Sequence, residues 1–489
     1  MPHVVTQSCC ADASCVVACP VNAIHPGPLE DGFALAEQVY IDPQTCVDCG
    51  ACVTACPVGA IKAHTRLAPA ELPFVDINAD FFAGVDRSDR PVLAPLRRRE
   101  RPAADSLRVA VVGAGPAGLY VADELLHFPG VTVTVLDRLD VPHGLARFGV
   151  APDHAHTRRI RSLFETIEKQ QGFTYELGVE VGKDVSHEQL AAAYDAVVYT
   201  VGASADRAMG IPGEELPGSI SATSVVGWYN GHPDHADVAP DLTGERVVIV
   251  GNGNVALDVA RILTADPSSL EGTEIAPAAL EALRSSSVRE VVVLGRRGPA
   301  EAAFTLPELV GLAGLTEVDV VVHDGETVLA GLPASPKVDL LREIAARPAA
   351  TGERRRIVLR FLSAPVAVTG TTRATGLEVA HTVLVADQAG PVRAELTDQR
   401  ETIEASMVLR SVGYRGRPVP GLPFDEKTGT VPNEKGRVEP GVYVAGWIKR
   451  GPTGFLGTNK TCAEETVDSL LADVASARIA PGSDKMAAR

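Results

Sequence analysis

The 489-residue sequence predicts an α/β protein in which two domains built on parallel β-sheets follow a small α+β module rich in cysteine. Three observations predict this fold. Strand-like apolar runs alternate with helical patterns from about residue 107 onward. Two glycine-rich turns, near residues 113 and 251, each follow a strand and open a helix. Eight of the nine cysteines fall within the first 56 residues, which in a large chain indicates metal sites rather than disulfides.

Composition and charge exclude several classes of function. Apolar residues make up 45% of the chain, and acidic side chains outnumber basic ones by 62 to 45, which gives a formal net charge of −17. So acidic a chain is poorly suited to neutralising phosphates, and we expect no nucleic-acid partner. No stretch reaches the roughly 20 apolar residues that span a bilayer, and the N-terminus lacks the pattern of a signal peptide. We therefore expect a cytoplasmic protein with no membrane partner.

Changes in sequence pattern predict the domain boundaries. Residues 1–65 contain two similar halves, and residues 66–105 carry scattered prolines and a basic run that indicate a surface linker. The two glycine-rich turns assign residues 106–205 and 412–489 to one dinucleotide-binding domain and residues 206–411 to another, inserted within the first.

The cysteine spacing predicts two iron-sulfur clusters. Cys46, Cys49 and Cys52 follow the pattern C-x2-C-x2-C, and Cys56 comes three residues later, directly before a proline. This is the bacterial ferredoxin run, in which the fourth cysteine binds the other cluster. The tandem repeat gives Cys19 the matching position in the first half, so one [4Fe-4S] cluster is expected on Cys19, Cys46, Cys49 and Cys52.

The other cluster has an incomplete set of thiols. Cys9, Cys15 and Cys56 are its predicted ligands, but Asp12 stands where the repeat demands a cysteine. The cluster is then a [3Fe-4S] cluster, which we favour slightly, or a [4Fe-4S] cluster whose fourth iron binds an Asp12 oxygen. Cys10 could replace Cys9, although its spacing breaks the repeat. A pair of zinc sites is disfavoured, because zinc requires neither the proline nor a repeat that exchanges ligands.

The first glycine-rich turn predicts a flavin site. Gly113, Gly115 and Gly118 have the G-x-G-x-x-G spacing that brings a pyrophosphate to a helix N-terminus. Asp137 ends the next strand, where an acid should bind a ribose hydroxyl. A second glycine-rich helix start near the C-terminus, beside Trp447, could approach an isoalloxazine ring, so FAD is favoured over NAD.

The second glycine-rich turn predicts a site for NADP(H). Residues 251–256 read G-x-G-x-x-A after a strand, which is an accepted variant of the dinucleotide turn. The next candidate strand ends in Arg296 and Arg297 rather than in an acid, which favours the 2′-phosphate of NADPH over NADH. No C-x-x-C lies in this domain, so electrons should leave through a metal centre and not through a dithiol. Cys462 is expected to be a buried apolar thiol.

Several segments together resemble one family. GAGPAGLY, VPHGLARFGVAPDH, GNGNVALDVARIL, GRRGPAEAAFTLPEL and GWIKRGPTGFLGTNK are similar to the adrenodoxin-reductase type of ferredoxin–NADP reductase, over residues 107–475 or so. With the front module included, the whole chain resembles the fused ferredoxin/ferredoxin–NADP reductases. We therefore expect two Rossmann-like domains in a three-layer, glutathione-reductase-like arrangement, preceded by a ferredoxin-like domain.

The resemblance also implies which residues contact the cofactors. The implied FAD contacts are Ala117, Asp137, Leu145, Val181, Trp447, Gly454, Phe455 and Leu456. The implied NADP contacts are Asn252, Gly253, Asn254, Val255, Arg296, Arg297, Glu308 and Gly454. His154 and Glu308 are implied near the contact between nicotinamide and flavin, as catalytic-site residues that tune a reaction carried by the cofactors. Asp137 replaces the more common Glu of this family, and the shorter acid should still reach the ribose.

The activity that the resemblance implies is that of an NADPH:ferredoxin oxidoreductase. Hydride passes from NADPH to FAD, and single electrons then pass through the fused module to a ferredoxin or another one-electron acceptor, such as a cytochrome P450 system. We expect a tether to raise the effective concentration of the module. The alternative is an NADPH-dependent electron-delivering subunit of a larger enzyme, like the small subunit of glutamate synthase, whose cysteine spacing differs from the run seen here. A remnant without reductase activity is disfavoured by the intact glycine-rich turns.

Overall fold

Two short helices and two small antiparallel ladders form the N-terminal module. The computed structural model describes residues 2–86, 89–95, 106–348, 354–385 and 392–479. The module contains β1 (His3–Val5), α1 (Ser14–Ala18), β2 (Ile24–His25), β3 (Tyr40–Ile41), α2 (Ala51–Ala55) and β4 (Ile61–Ala63). Strand β1 pairs with β4, and β2 pairs with β3. Helices α1 and α2 occupy equivalent positions in the two halves of the repeat.

Part of the expected linker is an ordered helix. Helix α3 (Pro73–Asp80) packs against the module, with Phe74 buried. The buried Asn78 side chain accepts hydrogen bonds from the N–H groups of Val5 (3.2 Å) and Ile41 (3.0 Å). Its amide also donates to the carbonyl oxygens of Val5 (2.9 Å) and Phe74 (2.7 Å). This segment is therefore not a surface linker, because its apolar and amide side chains complete the core of the module.

The remainder of the expected linker is described only in part. Phe82 is also buried, and the Arg90 guanidinium donates to the carboxylate of Asp42 at 3.3 Å. The basic run of the sequence falls in residues 96–105, which lie outside the described residues.

A six-stranded sheet forms the first domain. Its strand order is β20-β21-β8-β5-β6-β7, and every neighbouring pair is parallel except β20 with β21. The elements before the chain leaves this domain are β5 (Leu107–Val112), α4 (Pro116–Leu126), β6 (Val131–Asp137), α5 (Leu145–Phe148), α6 (Ala155–Arg158), α7 (Ile160–Ile167), β7 (Phe173–Leu177), α8 (His187–Ala193) and β8 (Ala196–Tyr199). The buried strands are rich in Val and Ala, as expected for a parallel sheet covered on both faces.

A second six-stranded sheet, parallel throughout, forms the second domain in the order β10-β18-β11-β12-β14-β13. Helices cover one face, and the antiparallel sheet β15-β16-β17 covers the other. The elements are β9 (Ala205–Asp206), β10 (Ser219–Ser221), α9 (Ala222–Tyr229), β11 (Arg246–Val250), α10 (Asn254–Thr264), α11 (Pro267–Leu270), α12 (Pro277–Arg284), β12 (Glu290–Leu294), α13 (Leu306–Ala313), β13 (Val318–Val322), α14 (Gly325–Val328), α15 (Pro336–Ala345), β14 (Arg355–Arg360), β15 (Ser363–Thr369), β16 (Gly376–Val385), β17 (Arg393–Glu404) and β18 (Met407–Arg410).

The chain then returns to the first domain. The returning elements are β19 (Tyr414–Arg415), β20 (Arg437–Glu439), β21 (Val442–Val444), α16 (Trp447–Arg450) and α17 (Thr458–Ala475). Strands β9 and β19 pair with each other where the two chain segments that connect the domains lie side by side. The predicted α/β fold with two parallel-sheet domains is confirmed, whereas the predicted boundaries after residues 65, 205 and 411 stay predictions. Among the described helices, none combines the length and apolar character needed to cross a bilayer.

The module is packed onto both domains. Cys10, Val58 and Ala60 are buried in the same apolar core as α4 and α17 of the first domain. Val4 of the module and Phe74 of α3 form a second apolar cluster with Val310 of the second domain. The module is therefore held by packing in addition to its covalent connection, since its own core residues are shared with its neighbours.

We expect Asn78→Leu to destabilise the module by roughly 2 to 4 kcal/mol, because buried backbone groups of Val5 and Ile41 would lose their partner. The measurement is the urea midpoint for loss of the visible absorbance of the iron-sulfur centres expected there. Asp80→Asn, at the exposed end of the same helix, is the control and should leave the midpoint unchanged. Equal midpoints for Asn78→Leu and the wild type would contradict this role.

Candidate functional site

Four thiols of the module line one cavity. Cys19, Cys46, Cys49 and Cys52 surround it, and His3 lies at its rim. All four are free cysteines, and Cys49 is exposed. Thiols from both halves of the repeat therefore converge as the ferredoxin pattern predicts, and this set of possible donors fits a [4Fe-4S] cluster.

A second group of thiols lies between the first group and the first domain. Cys9 and Cys56 contact the cores of both the module and the first domain, and Cys15 is buried in the module. Burial raises the pKa of Cys9 to about 12, although the backbone N–H groups of Val39 and Ala11 favour its thiolate. Burial likewise raises the pKa of Cys15 and of Cys56. Thiolates at these positions need a compensating positive charge, which ligated iron would supply.

The loop at Asp12 has the backbone conformation of a ligand loop. Ala11 and Asp48, which precede Asp12 and Cys49, both have φ of 57°. Asp12 thus stands where Cys49 stands in the other half. Cys10 corresponds by the same alignment to Val47, a position that does not bind iron in the repeat. This backbone match favours Cys9 over Cys10 as the ligand.

The Asp12 carboxylate is engaged by protein groups. The Ser14 hydroxyl donates to Asp12 Oδ2, and Lys460 Nζ of helix α17 donates to Ser14 Oγ at 3.0 Å. Asp12 is buried, which raises its pKa against the opposing effects of Ser14 and Lys460. Asp12 is therefore linked through Ser14 to a cation of the first domain.

The C-terminal loop of the first domain touches this part of the module directly. Gly457 N–H donates to the Cys10 carbonyl oxygen at 2.8 Å. A Cβ added at Gly457 would lie 2.2 Å from the backbone nitrogen of Asp12, so no side chain fits there. The loop that carries three of the implied FAD contacts is thus in backbone contact with the segment between Cys9 and Cys15, two thiols of the second group.

The first glycine-rich turn leaves space for a phosphate. A Cβ at Gly118 would lie 2.0 Å from the Gly113 carbonyl oxygen, so strand and helix approach closely at this pair. A Cβ at Gly115 would meet no atom within 4 Å. Gly115 directly precedes the N-terminus of α4, where backbone N–H groups attract anions. The open space at Gly115 fits the pyrophosphate of a dinucleotide.

The predicted ribose acid is oriented toward this turn. Asp137 Oδ2 accepts a hydrogen bond from Ala114 N–H at 2.7 Å, and Oδ1 accepts from Leu139 N–H at 2.9 Å. Each carboxylate oxygen retains a lone pair for a ribose hydroxyl. The Asp side chain, although shorter than Glu, lies beside the loop that the ribose would follow.

Other implied FAD contacts approach the same turn. His143 N–H donates to the Ala114 carbonyl oxygen at 2.8 Å, and the half-exposed Leu145 follows two residues later. A Cβ at Gly446 would lie 2.6 Å from the Cβ of Ala117, so the N-terminus of α16 lies beside the N-terminus of α4. Val181 lies farther along the chain, in a bridge with Val185.

The C-terminal loop is held by short-range hydrogen bonds. Trp447 Nε1 donates to the Thr453 carbonyl oxygen at 3.1 Å, and Phe455 N–H donates to Thr458 Oγ1 at 2.8 Å. This loop contains Gly454, Phe455 and Leu456. In the described part of the chain, two buried donors of Arg450, Nε and Nη1, have no acceptor. Such donors fit a site that receives a polar ligand.

The second glycine-rich turn repeats this geometry. A Cβ at Gly251 would lie 2.1 Å from the Ser411 carbonyl oxygen, whereas a Cβ at Gly253 would meet nothing within 4 Å. Asn254, the first residue of α10, accepts from Thr305 N–H at 2.9 Å. Asn252 accepts from Ala303 N–H at 3.3 Å. The loop before α13 therefore lies against residues 252–255.

Arg296 and Arg297 directly follow β12 and Gly295. Arg296 is exposed and Arg297 is half-buried. A Cβ at Gly295 would lie 2.4 Å from Asn252 Nδ2, so the two arginines begin beside the glycine-rich turn. Within the described ranges, neither guanidinium has a side-chain acceptor, and both can serve a phosphate.

The implied catalytic residues belong to a partly buried charge cluster between the two domains. His154 Nε2 lies 2.7 Å from Arg261 Nη2 and 3.8 Å from Asp258 Oδ1. Arg261 Nη1 lies 3.7 Å from Glu308 Oε2, and its Nε donates to Asp153 at 2.5 Å. The structure thus brings His154 and Glu308 together through Arg261.

The pKa values of two acids in this cluster, Asp153 and Glu308, shift in opposite directions. Burial opposes the charge of Arg261, but Asp153 and Asp258 raise its pKa well above the usual value. Arg261 in turn lowers the pKa of Asp153 against the effect of burial. Burial and then Asp258 raise the pKa of Glu308, with His154 and Arg261 opposing the rise. Burial and Asp258 thus favour the protonated form of Glu308, whereas Arg261 favours the ionised form of Asp153.

Several of these residues were missed by the sequence analysis. Asp258 and Arg261 share a face of α10, three residues apart, and this spacing after the glycine-rich turn could have pointed to them. Asp153 is adjacent to His154 and was passed over. No local pattern marks Lys460 or Arg450.

We expect Gly253→Ala to raise the KM for NADPH roughly tenfold or more, because the added methyl enters the space left for phosphate. Protein stability should stay unchanged, since this methyl meets no protein atom. Gly251→Ala is the contrasting variant, because Gly251 has φ of 108° and no room for a Cβ, and it should lower the melting temperature. Steady-state kinetics and thermal unfolding check both, and an unchanged KM for Gly253→Ala would contradict the site.

Comparison with known proteins gives two family matches. The family model of the 4Fe-4S dicluster domain matches residues 8–60, and that of the pyridine nucleotide-disulphide oxidoreductase matches residues 107–283. The first match covers most of the module, and the second contains both glycine-rich turns.

The chain is similar to named proteins over nearly its whole length. A probable ferredoxin/ferredoxin–NADP reductase of Mycobacterium tuberculosis (strain H37Rv) is 51% identical over 505 aligned residues, which cover 98% of this chain and 85% of the relative. The corresponding Mycobacterium leprae protein is 49% identical over 498 residues, covering 97% and 86%. The solved structure of Mycobacterium tuberculosis FprA in complex with NADPH matches with a TM-score of 0.74 and 46% identity, over 76% of this chain and 86% of that one.

Whole-length similarity favours the reductase over the electron-delivering subunit of a larger enzyme. The predicted ferredoxin-like front and the glutathione-reductase-like arrangement are both confirmed by these matches. The chain therefore belongs to the family of ferredoxin/ferredoxin–NADP reductases.

Proposed function

We propose that this chain takes electrons from NADPH at its second domain and delivers them through its first domain to its own iron-sulfur module, from which a separate protein accepts them singly. One observation carries the proposal: the loop with the implied FAD contacts touches the loop that joins Cys9 to Cys15 backbone to backbone, at Gly457 and Cys10. When bound, FAD and the clusters supply the redox chemistry, and the protein holds them close together.

The order of the two thiol groups supports a path out of the molecule. Cys9 and Cys56 contact the core of the first domain, whereas Cys49 is exposed on the module. Val47, beside Cys49, is 59% exposed. The first thiol group, Cys19 with Cys46, Cys49 and Cys52, is therefore where we propose that the acceptor docks. The acceptor is a ferredoxin or another one-electron carrier, including one that serves a cytochrome P450 system.

The NADPH end of the path rests on residues of the second domain. Arg296 and Arg297 hold the 2′-phosphate, and residues 252–255 hold the pyrophosphate at the start of α10. Glu308 and His154 lie at the nicotinamide end of the bound NADPH. Arg261 contacts both side chains and so links them. These roles are assigned because open space lies at Gly253 and because neither Arg296 nor Arg297 has a side-chain acceptor among the residues that the structure describes. The cytoplasmic location expected from the sequence stays a prediction.

We propose that the second cluster is of the [3Fe-4S] type. Asp12 stands at the ligand position, but its carboxylate accepts a hydrogen bond from the Ser14 hydroxyl. Lys460 Nζ donates a hydrogen bond to that same hydroxyl. A carboxylate that already has a donor and a nearby cation gains less by binding iron. Cys9, Cys15 and Cys56 then supply the three thiolates.

Cys49→Ala tests the path. Losing one ligand of the exposed cluster should lower NADPH-dependent reduction of cytochrome c roughly tenfold or more, because a one-electron protein acceptor depends on that cluster. Ferricyanide reduction should fall much less, since this small acceptor reaches other centres. Initial rates with both acceptors in the full-length protein are the measurement.

Cys10→Ala is the matched control for this experiment. It removes a thiol from the same module at a position equivalent to Val47, so both rates should stay near those of the wild type. Cytochrome c rates that survive the loss of Cys49 would mean that electrons leave the chain elsewhere.

Asp12→Cys tests the cluster type. The wild type, oxidised, should give the electron paramagnetic resonance signal of a [3Fe-4S] cluster. Asp12→Cys completes the C-x2-C-x2-C run, so the signal should vanish and the iron content should rise by about one atom per chain. An oxidised wild type with no such signal would indicate aspartate ligation instead.

A further inference from the structure

We propose that Gln7 of the iron-sulfur module is a positioning residue for Glu308, so that the fused module forms part of the nicotinamide site as well as accepting electrons. The inference rests on the proposed role of Glu308 at the nicotinamide. Gln7 Nε2 donates to Glu308 Oε2 at 3.2 Å, a contact between residues 301 positions apart in the chain.

The module holds the helix that carries Glu308 at three points. At its N-terminus, Leu306 N–H donates to Glu37 Oε2 of the module at 2.7 Å. Along its length, the Gln7 amide lies against Gly311, where a Cβ would be 2.3 Å from Nε2. On its apolar side, Val310 packs with Val4 of the module. The position of α13 (Leu306–Ala313) therefore depends on the module from its first turn to its last.

The hydrogen bond from Gln7 favours the ionised form of Glu308. An amide N–H that donates to a carboxylate stabilises the ionised form. The other groups that face Glu308 are Asp258, which disfavours its charge, and His154 and Arg261, which favour it. Gln7 is the neutral member of this set and the member contributed by the module. Changing the charge at residue 7 should therefore shift the titration of Glu308 in a direction set by that charge.

Three substitutions separate this role from packing. Gln7→Met keeps the length and removes the donor, Gln7→Glu adds a negative charge, and Gln7→Lys adds a positive one. The same three changes at Gln44, an exposed glutamine of the module, are the matched controls. All variants are measured as the full-length holoenzyme.

The primary readout is an infrared pH titration of the Glu308 carboxyl, assigned by the band that Glu308→Gln removes. The midpoint should rise in Gln7→Met by roughly half a pH unit to one unit, rise further in Gln7→Glu, and fall in Gln7→Lys. The pH profile for single-turnover reduction of the flavin by NADPH should move in the same order. The Gln44 variants should match the wild type in both measurements.

Several outcomes would overturn the proposal. Shifts of one sign for all three Gln7 variants would mean a packing role only, and unchanged midpoints would mean that the contact has no effect. A pH profile that survives Glu308→Gln would show that this carboxyl does not titrate during turnover. These failures leave NADPH-dependent flavin reduction by the wild type intact, whereas failure of the proposed function removes that reduction and leaves the infrared titration readable.

Discussion

A single backbone contact, between the C-terminal loop of the first domain and the cysteine loop of the module, sets the geometry on which the rest depends. Gly457 N–H binds the Cys10 carbonyl oxygen at 2.8 Å, and the space at Gly457 excludes any side chain. Electron transfer from a flavin bound at the C-terminal loop to a cluster bound at the cysteine loop would require such proximity. Because the contact is made by backbone atoms, its distance does not depend on a side-chain rotamer. The hydrogen bond from Lys460 of α17 to Ser14 of α1 reinforces it nearby.

The module is built into the reductase at two interfaces with different chemistry. Toward the first domain it shares an apolar core, in which Cys10 and Val58 are buried, and burial of such surface is the dominant source of stability. Toward the second domain it makes polar contacts as well, through Gln7 and Glu37 to α13. A module held on both sides bridges the two dinucleotide-binding domains. The module therefore contacts both domains, and through Gln7 it reaches Glu308 in the cluster around Arg261.

The sequence predicted the parts that depend on local spacing. The glycine-rich turns and the cysteine runs were identified because each motif is encoded within a few residues, and their surroundings in the structure fit the assigned ligands. The parts that depend on distant partners were missed. Helix α3 was assigned to a linker because residues 66–105 as a whole carry scattered prolines and a basic run. The role of Asn78 follows only from its hydrogen bonds with β1 and β3. Gln7 and Lys460 carry no local signal, since each acts on a residue hundreds of positions away.

The two halves of the cysteine repeat differ where the first domain covers one of them. Val47 is 59% exposed, whereas its counterpart Cys10 is 3% exposed and lies in the shared core. Cys49 is exposed, whereas its counterpart Asp12 is buried and linked to Lys460 through Ser14. The half that faces solvent thus retains the complete ferredoxin pattern, and the half that faces the reductase departs from it. Since both loops have left-handed backbone at equivalent positions, Ala11 with Asp48 and Ala13 with Gly50, the departure lies mainly in the side chains. Packing against the first domain accounts for Cys10, and the polar link to α17 accounts for a carboxylate at position 12.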